Sequence, residues 1–336
     1  MSSLPSPSDG PRAVVDAHFP ADGPREAQLR FLINYAVLAP SVFNTQPWRF
    51  RLDGEVLHLV ADRSRQMTAL DPEGRELVVS CGAALFHLRV AARHFGLEPA
   101  VETFPDRSDP DHLAAVSIAG PHRPTDDDAV LFRGLSLRHT NRRAFAETPV
   151  PFEAAWALER AAHQEGARLA VLDAPEDRDA VAALVAEGIV RQAQDPAIAE
   201  EMGRWLRPAT DPRRDGVPDD EQGEWDRRSD SRLPSSVLAS RKRALVRESP
   251  AVLVLTTATD DPPAWLAAGQ ALAHVLLVAA DRGLFASYVN QPVEVATLRS
   301  ELARLTGGGF PQVVFRVGYP QRREGTPRRS VSDVME

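Results

Sequence analysis

Two segments of this chain can be aligned without a gap, and this internal repeat limits the folds open to the chain more than any other feature. Residues 82–97 read GAALFHLRVAARHFGL, and residues 269–284 read GQALAHVLLVAADRGL. The opening glycine, the Ala-Leu pair, the histidine, one alanine and the closing Gly-Leu coincide. Helices rich in Ala and Leu resemble one another by composition, but composition does not explain the matched histidine and closing glycine. The repeat therefore predicts two copies of one α+β unit, fused in a single chain and packed like the two subunits of a dimer.

Apolar periodicity supplies the elements around the repeat. It places the two copies on helices over 72–95 and 263–282, and it predicts another helix over 25–39 that ends at Pro40. Other predicted helices cover 130–138, 152–164 and 177–193, and predicted strands lie over 48–52, 56–61, 99–104, 114–118, 168–172, 252–257 and 313–317. The pattern predicts an α+β fold of two pseudo-two-fold-related halves, each a sheet flanked by helices.

Shifts in composition indicate where these halves begin and end. Residues 1–24, rich in Pro, Ser, Gly and Asp, predict a mobile N-terminal arm. The first half is expected over 25–120 and the second over 121–336. The second half contains a long polar excursion at 207–236, in the place where its own copy of the first half's polar loop is expected. A segment of that length inside a compact domain is either disordered or a lid over a site, and we expect a lid.

Charge and composition exclude several classes of function. The 336 residues carry a formal charge of -8, which argues against a nucleic-acid-binding protein because such proteins need a basic surface. The first residues lack the apolar region of a secretory signal, and the stretch 264–280 is too short and too polar to cross a bilayer. The single cysteine, Cys81, cannot form an internal disulfide and is expected in the core. We therefore expect a cytoplasmic protein with no membrane or nucleic-acid partner.

Arginine supplies nearly all of the basic charge, since Lys242 is the only lysine. Arginine binds anions but stays protonated, so mechanisms that depend on a lysine base or nucleophile are nearly excluded. The sequence also lacks an HExxH motif, a Cys/His zinc spacing, a GxSxG nucleophile motif, a P-loop and a GxGxxG fingerprint after a strand. No catalytic side chain and no metal site is therefore predicted.

The segment APSVFNTQPWRF, residues 39–50, places four hydrogen-bonding side chains in one short loop, directly before a tryptophan that is expected to be buried behind them. These side chains are Ser41, Asn44, Thr45 and Gln46. A plain turn needs only one Asn or Gly. The loop therefore predicts a pocket for a polar, planar ligand.

A second polar cluster, RHTNRR, stands at the end of the helix predicted over 130–138. It consists of Arg138, His139, Thr140, Asn141, Arg142 and Arg143. Arginine forks match phosphate oxygens, and Arg328 and Arg329 in the basic tail are placed to close on the same anion. A lone arginine is more typical of a solvated surface, but the clustering with Thr and Asn favours a phosphate site. A phosphate site and an amide-rich loop without an evident base or nucleophile together favour flavin mononucleotide (FMN) as cofactor.

At these residues the sequence resembles the nitroreductase superfamily of FMN proteins, and most of all its Acg-type branch, single chains that fuse two nitroreductase-like halves. The resemblance extends from about residue 25 to the end, and is carried by APSVFNTQPWRF, LRHTNRRAF, WLAAGQALAHVLLVAADRGL and GYPQRREGTPRRS. It implies a nitroreductase-like fold and an FMN-dependent oxidoreductase. Such an enzyme passes hydride from NAD(P)H to a nitroaromatic, a quinone or a similar small-molecule acceptor.

The resemblance also implies cofactor-binding residues. The family's loop against the flavin ring corresponds to Pro40, Ser41, Asn44 and Gln46. Its phosphate and ribityl segment corresponds to Arg138, Thr140, Asn141 and either Arg142 or Arg143. Its loop after the second repeat helix corresponds to Ser287, Tyr288 and Asn290, and its C-terminal basic residue to Arg328 or Arg329. The lysine or arginine that commonly faces the flavin pyrimidine has no clear counterpart here.

Two other functions stay open on the sequence alone. The Acg resemblance also suits a non-catalytic protein that binds or sequesters flavin during stress or dormancy, with its lid closed. The arginine cluster by itself suits an anion-binding scaffold without flavin. Fused halves remove the usual need for a partner subunit, so a monomer is expected, with a homodimer as the alternative.

Overall fold

The fold of residues 16–219, 234–320 and 325–336 is described by a computed structural model. Its strands are β1 (Trp48–Asp53), β2 (Val56–Ala61), β3 (Leu97–Thr103), β4 (His112–Pro121), β5 (Arg168–Leu172), β6 (Leu206–Arg207), β7 (Val217–Pro218), β8 (Ala251–Thr257), β9 (Phe285–Tyr288) and β10 (Phe310–Gly318). Its helices are α1 (Arg25–Ala36), α2 (Arg75–His94), α3 (Asp126–Leu137), α4 (Phe152–Gln164), α5 (Pro175–Gln192), α6 (Pro196–Trp205), α7 (Ser235–Arg247), α8 (Pro262–Asp281), α9 (Gln291–Glu294), α10 (Ala296–Leu305) and α11 (Val331–Val334). The predicted α+β class is confirmed.

Two four-stranded antiparallel sheets have the same strand order. The first sheet runs β1-β2-β4-β3 and the second runs β5-β8-β10-β9. When β1 to β4 are matched in chain order with β5, β8, β9 and β10, the two orders are identical. The helices α2 and α8 then occupy the same place, between the second and third strand of each set. Topology therefore repeats where the sequence repeats, as expected for two fused copies of one unit.

The two halves differ in the connection between their first two strands. In the first half, a tight turn through Gly54, whose φ is +57°, joins β1 to β2. In the second half, α5, α6, β6, β7 and α7 all lie between β5 and β8. The excursion predicted at 207–236 belongs to this insertion, and its residues 220–233 lie outside the described residues. The excursion therefore replaces a hairpin turn, and the prediction that it replaces a second polar loop is wrong.

The two repeat helices pack against each other at their matched glycines. A Cβ atom added to Gly82 would overlap the carbonyl oxygen of Leu266, and one added to Gly269 would overlap that of Val79. Both obstacles are backbone atoms, which cannot swing aside as a flexible side chain can. The close approach of α2 and α8 therefore requires glycine at both positions.

A continuous apolar core joins the halves. It contains buried side chains from α1, α2, α4 and α8 and from strands of both sheets. A smaller cluster covers the outer face of the second sheet, where α5, α7 and α10 pack on Val252, Val254 and Val314. Every residue of β8 is buried as a result, whereas β1 carries exposed residues on one face. By length and composition α8 could cross a membrane, but most of it is buried in this core.

Residues 16–24, which the sequence assigned to a mobile arm, pack against α1. The Tyr35 hydroxyl donates to the Asp16 carboxylate at 2.6 Å, and the Phe19 ring stacks on that of Phe95 with centroids 4.3 Å apart. The side-chain amide of Gln28 also donates to a carbonyl of this segment, at 2.8 Å. The structure contradicts the arm prediction for these residues, and residues 1–15 lie outside the described ones.

We expect Gly82→Ala to destabilise the protein, because its methyl group would push α2 and α8 apart. Overpacking of this kind costs on the order of 3 kcal/mol, which exceeds the roughly 1 kcal/mol that alanine gains over glycine inside a helix. Thermal and denaturant unfolding, followed by circular dichroism, measure the change.

Gly203→Ala is the matched control for that variant. Gly203 lies in α6, and a Cβ atom added there would meet no heavy atom within 4 Å. Its unfolding midpoint should stay the same or rise slightly. An equal loss of stability in both variants would show that the helix crossing is not the cause.

Candidate functional site

A cavity of about 750 Å³ lies where the two halves meet. The first half contributes its polar loop and the start of α2, and the second half contributes the segment after α3, part of β9 and the start of α9. Apolar side chains such as Ile189, Met202 and Leu238 extend the wall along α5, α6 and α7. The sequence-predicted residues in the wall are Pro40, Ser41, Thr140, Arg142, Ser287, Tyr288 and Asn290. The other predicted residues, which do not line the cavity, are Asn44, Gln46, Arg138, Asn141, Arg143, Arg328 and Arg329.

The loop that carries Ser41 has a strained backbone. Phe43, Asn44 and Gln46 have φ angles of 44°, 57° and 51°, in the left-handed region that residues other than glycine rarely adopt. Asparagine tolerates this region better than phenylalanine or glutamine does, and each such residue costs on the order of 1 kcal/mol or more. The Ser41 hydroxyl accepts the Gln46 N–H at 2.9 Å, which closes the loop on itself. A strained loop of this kind persists only where the surrounding structure holds it.

The Asn44 side chain bonds to two distant segments. Its amide nitrogen donates to the carbonyls of Gly216 at 2.8 Å and Pro327 at 3.1 Å. Its amide oxygen accepts from Arg328 at 2.9 Å. Because the Gly216 N–H also donates to the Asn44 carbonyl, at 3.1 Å, this one residue ties both the excursion and the C-terminal segment to the first half.

Gln46, two positions further along, makes the same kind of connection. Its amide nitrogen donates to the carbonyl of Arg214 at 2.7 Å, and its amide oxygen accepts the N–H of Arg329 at 2.8 Å. Both loop amides therefore bond to protein backbone. The direct contact with a ligand that the sequence suggested for Asn44 and Gln46 stays a prediction.

The RHTNRR segment lies along the edge of the second sheet. Thr140 pairs with Ala286 of β9, and the Asn141 N–H donates to the Ala286 carbonyl at 2.8 Å. The Asn141 side chain then turns the chain by donating to the Arg143 carbonyl at 3.0 Å. The pairing and the turn bring Thr140 and Arg142 to the cavity wall and give Asn141 a structural role.

Arg138 and Arg328 meet although they are far apart in the sequence. Both donate to the carbonyl of Leu38, at 3.2 and 3.5 Å. Burial raises the pKa of the nearby Tyr288 to about 12, and the charges of Arg138, Arg142 and Arg328 oppose that rise. Three guanidinium groups thus act on one buried, protonated hydroxyl. Their combined positive charge favours the binding of an anion near this hydroxyl.

The two arginines of each pair that the sequence left open lie in different places. Arg142 lines the cavity and Arg143 does not. Arg328 belongs to the cluster around the buried hydroxyl of Tyr288. The guanidinium of Arg329 instead donates to the carbonyls of Gln46 and of a residue in α11. In each pair, only the first arginine joins the cluster.

The sequence analysis missed Arg316, which is only 1% exposed in β10. Its guanidinium donates to the Ser287 hydroxyl and to the Arg143 carbonyl, both at 2.9 Å, and lies 4.9 Å from the ring centroid of Phe145. It thereby fastens the RHTNRR segment to the sheet and orients Ser287. The available signal was an arginine inside the otherwise apolar run VVFRVG.

The cavity wall also contains two carboxyl groups and the only lysine, none of which was predicted there. Glu76 accepts from Arg75 at 3.0 Å and from Asn290 at 3.2 Å. Burial and the charge of Glu294 raise the pKa of Glu76 to about 8, and burial raises the pKa of Glu294 to about 7. Lys242 is buried in the same wall, although the sequence, in which it is the single lysine, gave no reason to place it there.

No protein-family profile matches the chain. It is 35% identical, over 339 residues, to the protein named "Putative NAD(P)H nitroreductase Rv3131" from Mycobacterium tuberculosis, across 96% of this chain and 94% of that protein. The chain belongs to this family of NAD(P)H nitroreductases. Another relative from the same organism, named "Putative NAD(P)H nitroreductase acg", is 29% identical over 316 residues, across 91% of this chain and 94% of that protein. The Acg-type resemblance is therefore confirmed.

Solved structures overlap this nitroreductase-family chain in part. A nitroreductase with bound FMN from Desulfitobacterium hafniense is 16% identical, with a TM-score of 0.41, across 61% of this chain and 95% of its own. A nitroreductase with bound FMN from Bacteroides fragilis is 13% identical, with a TM-score of 0.39, across 59% of this chain and 94% of its own.

Asn44→Asp should loosen the excursion and the C-terminal segment. The substitution keeps the size of the side chain but replaces the amide donor with an acceptor, so the carbonyls of Gly216 and Pro327 lose their partner. A buried carbonyl left unsatisfied costs roughly 1–3 kcal/mol. Hydrogen exchange followed by mass spectrometry should show faster exchange in peptides that contain Arg214 to Val217.

Asn34→Asp is the matched control for that prediction. Among the described residues, the Asn34 amide donates only within its own helix, to the Phe31 carbonyl at 2.8 Å. Exchange in the excursion should not change in this variant. Unchanged exchange in Asn44→Asp would remove the proposed tie between the loop and the excursion.

Glu76→Gln should stabilise the protein at about pH 8 and have little effect at about pH 5. The pKa of Glu76 in the folded protein, about 8, lies above its ordinary value of 4.5. The unfolded chain therefore loses its proton first, and the wild-type protein loses stability as the pH rises between these two values. Glutamine does not ionise, so the variant avoids that loss. Thermal midpoints of both proteins at the two pH values provide the test, and a difference that does not vary with pH would contradict it.

Proposed function

We propose that this chain is a cytoplasmic, FMN-dependent NAD(P)H oxidoreductase of the nitroreductase type, which reduces a small-molecule acceptor such as a nitroaromatic or a quinone. The observation that carries the proposal is the cavity of about 750 Å³ that Ser41 of one half shares with Arg142 and Tyr288 of the other. Similarity along nearly the whole chain to a protein named as an NAD(P)H nitroreductase supports it.

The polar residues in and behind the cavity wall fit FMN. Arg142, which lines the cavity, would hold its phosphate, because a guanidinium fork matches phosphate oxygens. Arg138 and Arg328 lie behind the wall, and their charges would favour the same anion. The Tyr288 hydroxyl is buried and has no hydrogen-bond partner among the described residues, so it suits a polar group of the cofactor. Other hydroxyl groups in the same wall are those of Thr140 and Ser287.

The flavin ring would lie in the remaining part of the cavity. Pro40 and Ser41 line it from the first half, and Asn290 lines it from the second. Met202 and Leu238 add apolar surface, which suits the dimethylbenzene end of the ring. A planar, half-polar ligand therefore matches the mixture of side chains that is present.

The predicted residues outside the wall would serve the cofactor indirectly. Asn44 and Gln46 hold the excursion and the C-terminal segment against the loop that carries Ser41. Asn141 turns the segment that carries Arg142. Their part is to position the residues that line the cavity.

When bound, FMN supplies hydride transfer from NAD(P)H to the acceptor, which protein side chains cannot provide. The chain itself binds and orients the reactants, and Val217 and Ser235 of the excursion line the cavity in which they would lie. Tyr288 stays protonated at neutral pH, so its hydroxyl can donate a hydrogen bond. Because both halves contribute to one cavity, a single chain forms a complete site, and we propose a monomer.

Flavin spectroscopy tests the proposal. The purified protein should contain flavin or bind added FMN. In the absence of oxygen, NADH or NADPH should then bleach the absorption bands of the bound flavin. Addition of a nitroaromatic or a quinone should restore these bands. Bound flavin that neither nucleotide reduces would contradict the enzyme and favour a flavin-sequestering protein. A protein that does not bind FMN would contradict both.

Arg142→Ala should weaken FMN binding by on the order of 10- to 100-fold, because a hydrogen bond to a charged group contributes roughly 1.5–3 kcal/mol. Arg143→Ala is the matched control, since Arg143 does not line the cavity. Its Kd should stay within about threefold of the wild-type value. Fluorescence titration of FMN measures both, and equal losses would contradict the assignment of the phosphate site.

A further inference from the structure

One region of the cavity wall, defined by Glu76, Gln291 and Glu294, presents hydrogen-bond acceptors; we call it the carboxyl region. The Oε2 atom of Glu76 and the Oε1 atom of Gln291 are buried and have no hydrogen-bond partner among the described residues. Glu76 as a whole is only 4% exposed. Buried acceptors without donors cost free energy, so this region suits a ligand that brings donors of its own.

Hydrogen bonds hold the carboxyl groups of this region in place. Oε1 of Glu76 accepts from Arg75 at 3.0 Å and from Asn290 at 3.2 Å. Oε2 of Glu294 accepts from Gln192 at 2.6 Å. Each carboxyl group is thus fixed through one oxygen, so a ligand would meet an oriented acceptor and not a flexible side chain.

The charges around Glu76 favour a cation. The charged groups that act on it most strongly are Glu294, Arg75 and Asp71, so one guanidinium stands among three carboxyl groups. Burial is the main reason that the pKa values of Glu76 and Glu294 are raised, to about 8 and about 7. Lys242 also lines the cavity, but it is not among the charges that act most strongly on Glu76. A ligand cation would stabilise both carboxylates.

We infer that the carboxyl region is a specificity site that binds the cationic, N–H-bearing group of a ligand, such as an amidinium or a protonated amine. The arginines around Tyr288 give the same cavity a second region of opposite preference, which suits anions. The two regions together would orient a ligand by its charges. The identification of this ligand as the electron acceptor rests on the proposed function. The prediction that the ligand binds at the carboxyl region does not rest on it.

Three ligands of matched shape separate charge from size. 4-Nitrobenzamidine carries a cation with N–H groups, 4-nitrobenzamide is neutral, and 4-nitrobenzoate is an anion. Isothermal titration calorimetry on the full-length protein, saturated with FMN where it binds, should give the amidine a Kd on the order of 10-fold below that of the amide. Equal affinities, or tightest binding of the benzoate, would overturn the inference.

Two variants assign the preference to the carboxyl region. Glu76→Gln keeps the shape but removes the charge, so the amidine should bind within about threefold of the amide. Gln291→Met removes one acceptor and should reduce the preference by a smaller factor. Glu301→Gln removes a charge at an exposed position of α10 and should leave the preference intact. A preference that survives Glu76→Gln would overturn the inference, and if that variant does not fold, an unchanged preference in Gln291→Met would do so.

The pH gives a second readout. An amidinium stays charged through the neutral range, while the two carboxyl groups ionise near their raised pKa values, so the preference for the amidine should grow from about pH 6 to about pH 9. A flat profile would overturn the inference. Calorimetry uses no NAD(P)H, so it measures binding independently of turnover. If the protein prefers the amidine but does not reduce any acceptor, the result would count against the proposed function and not against this inference.

Discussion

The contact between α2 and α8 at Gly82 and Gly269 is the interaction on which the rest of the structure depends. Because neither glycine has a side chain, the two backbones touch and the halves share one core. The cavity lies beside this contact, since Val79, one turn before Gly82, and Leu272, one turn after Gly269, both line it. The same two glycines therefore determine how the halves pack and where the cavity lies.

Around this rigid centre, the polar parts of the site stabilise one another. The loop with left-handed Phe43, Asn44 and Gln46 stores strain, and the excursion and the C-terminal segment bond to its amides. Arg316 fastens the RHTNRR segment to the sheet in a similar way. Each of these stretches has little regular structure of its own, so its conformation depends on the hydrogen bonds between them.

The repeat made the core of the fold predictable, because α2 and α8 carry their glycines and histidines at matched positions. The helices α6, α7 and α10 were not predicted, because they are rich in charged residues and bury few apolar side chains. Local motifs and the family resemblance together pointed to seven residues that line the cavity. The partners of Asn44 were not predictable, because the carbonyls it binds lie far along the chain. Neither Glu76 nor Lys242 was predicted in the cavity wall, because only tertiary packing buries them there.

The identical strand orders of the two sheets have an evolutionary consequence. In a symmetric homodimer, every substitution appears in both copies of the active site. In this fused chain, Arg75 and Glu76 stand in α2 where the aligned positions of α8 are Pro262 and Pro263. One half thus carries charges at two positions where its twin carries none. Duplication within one gene allows such divergence, since each mutation changes one wall of one cavity and leaves the other half to preserve the fold.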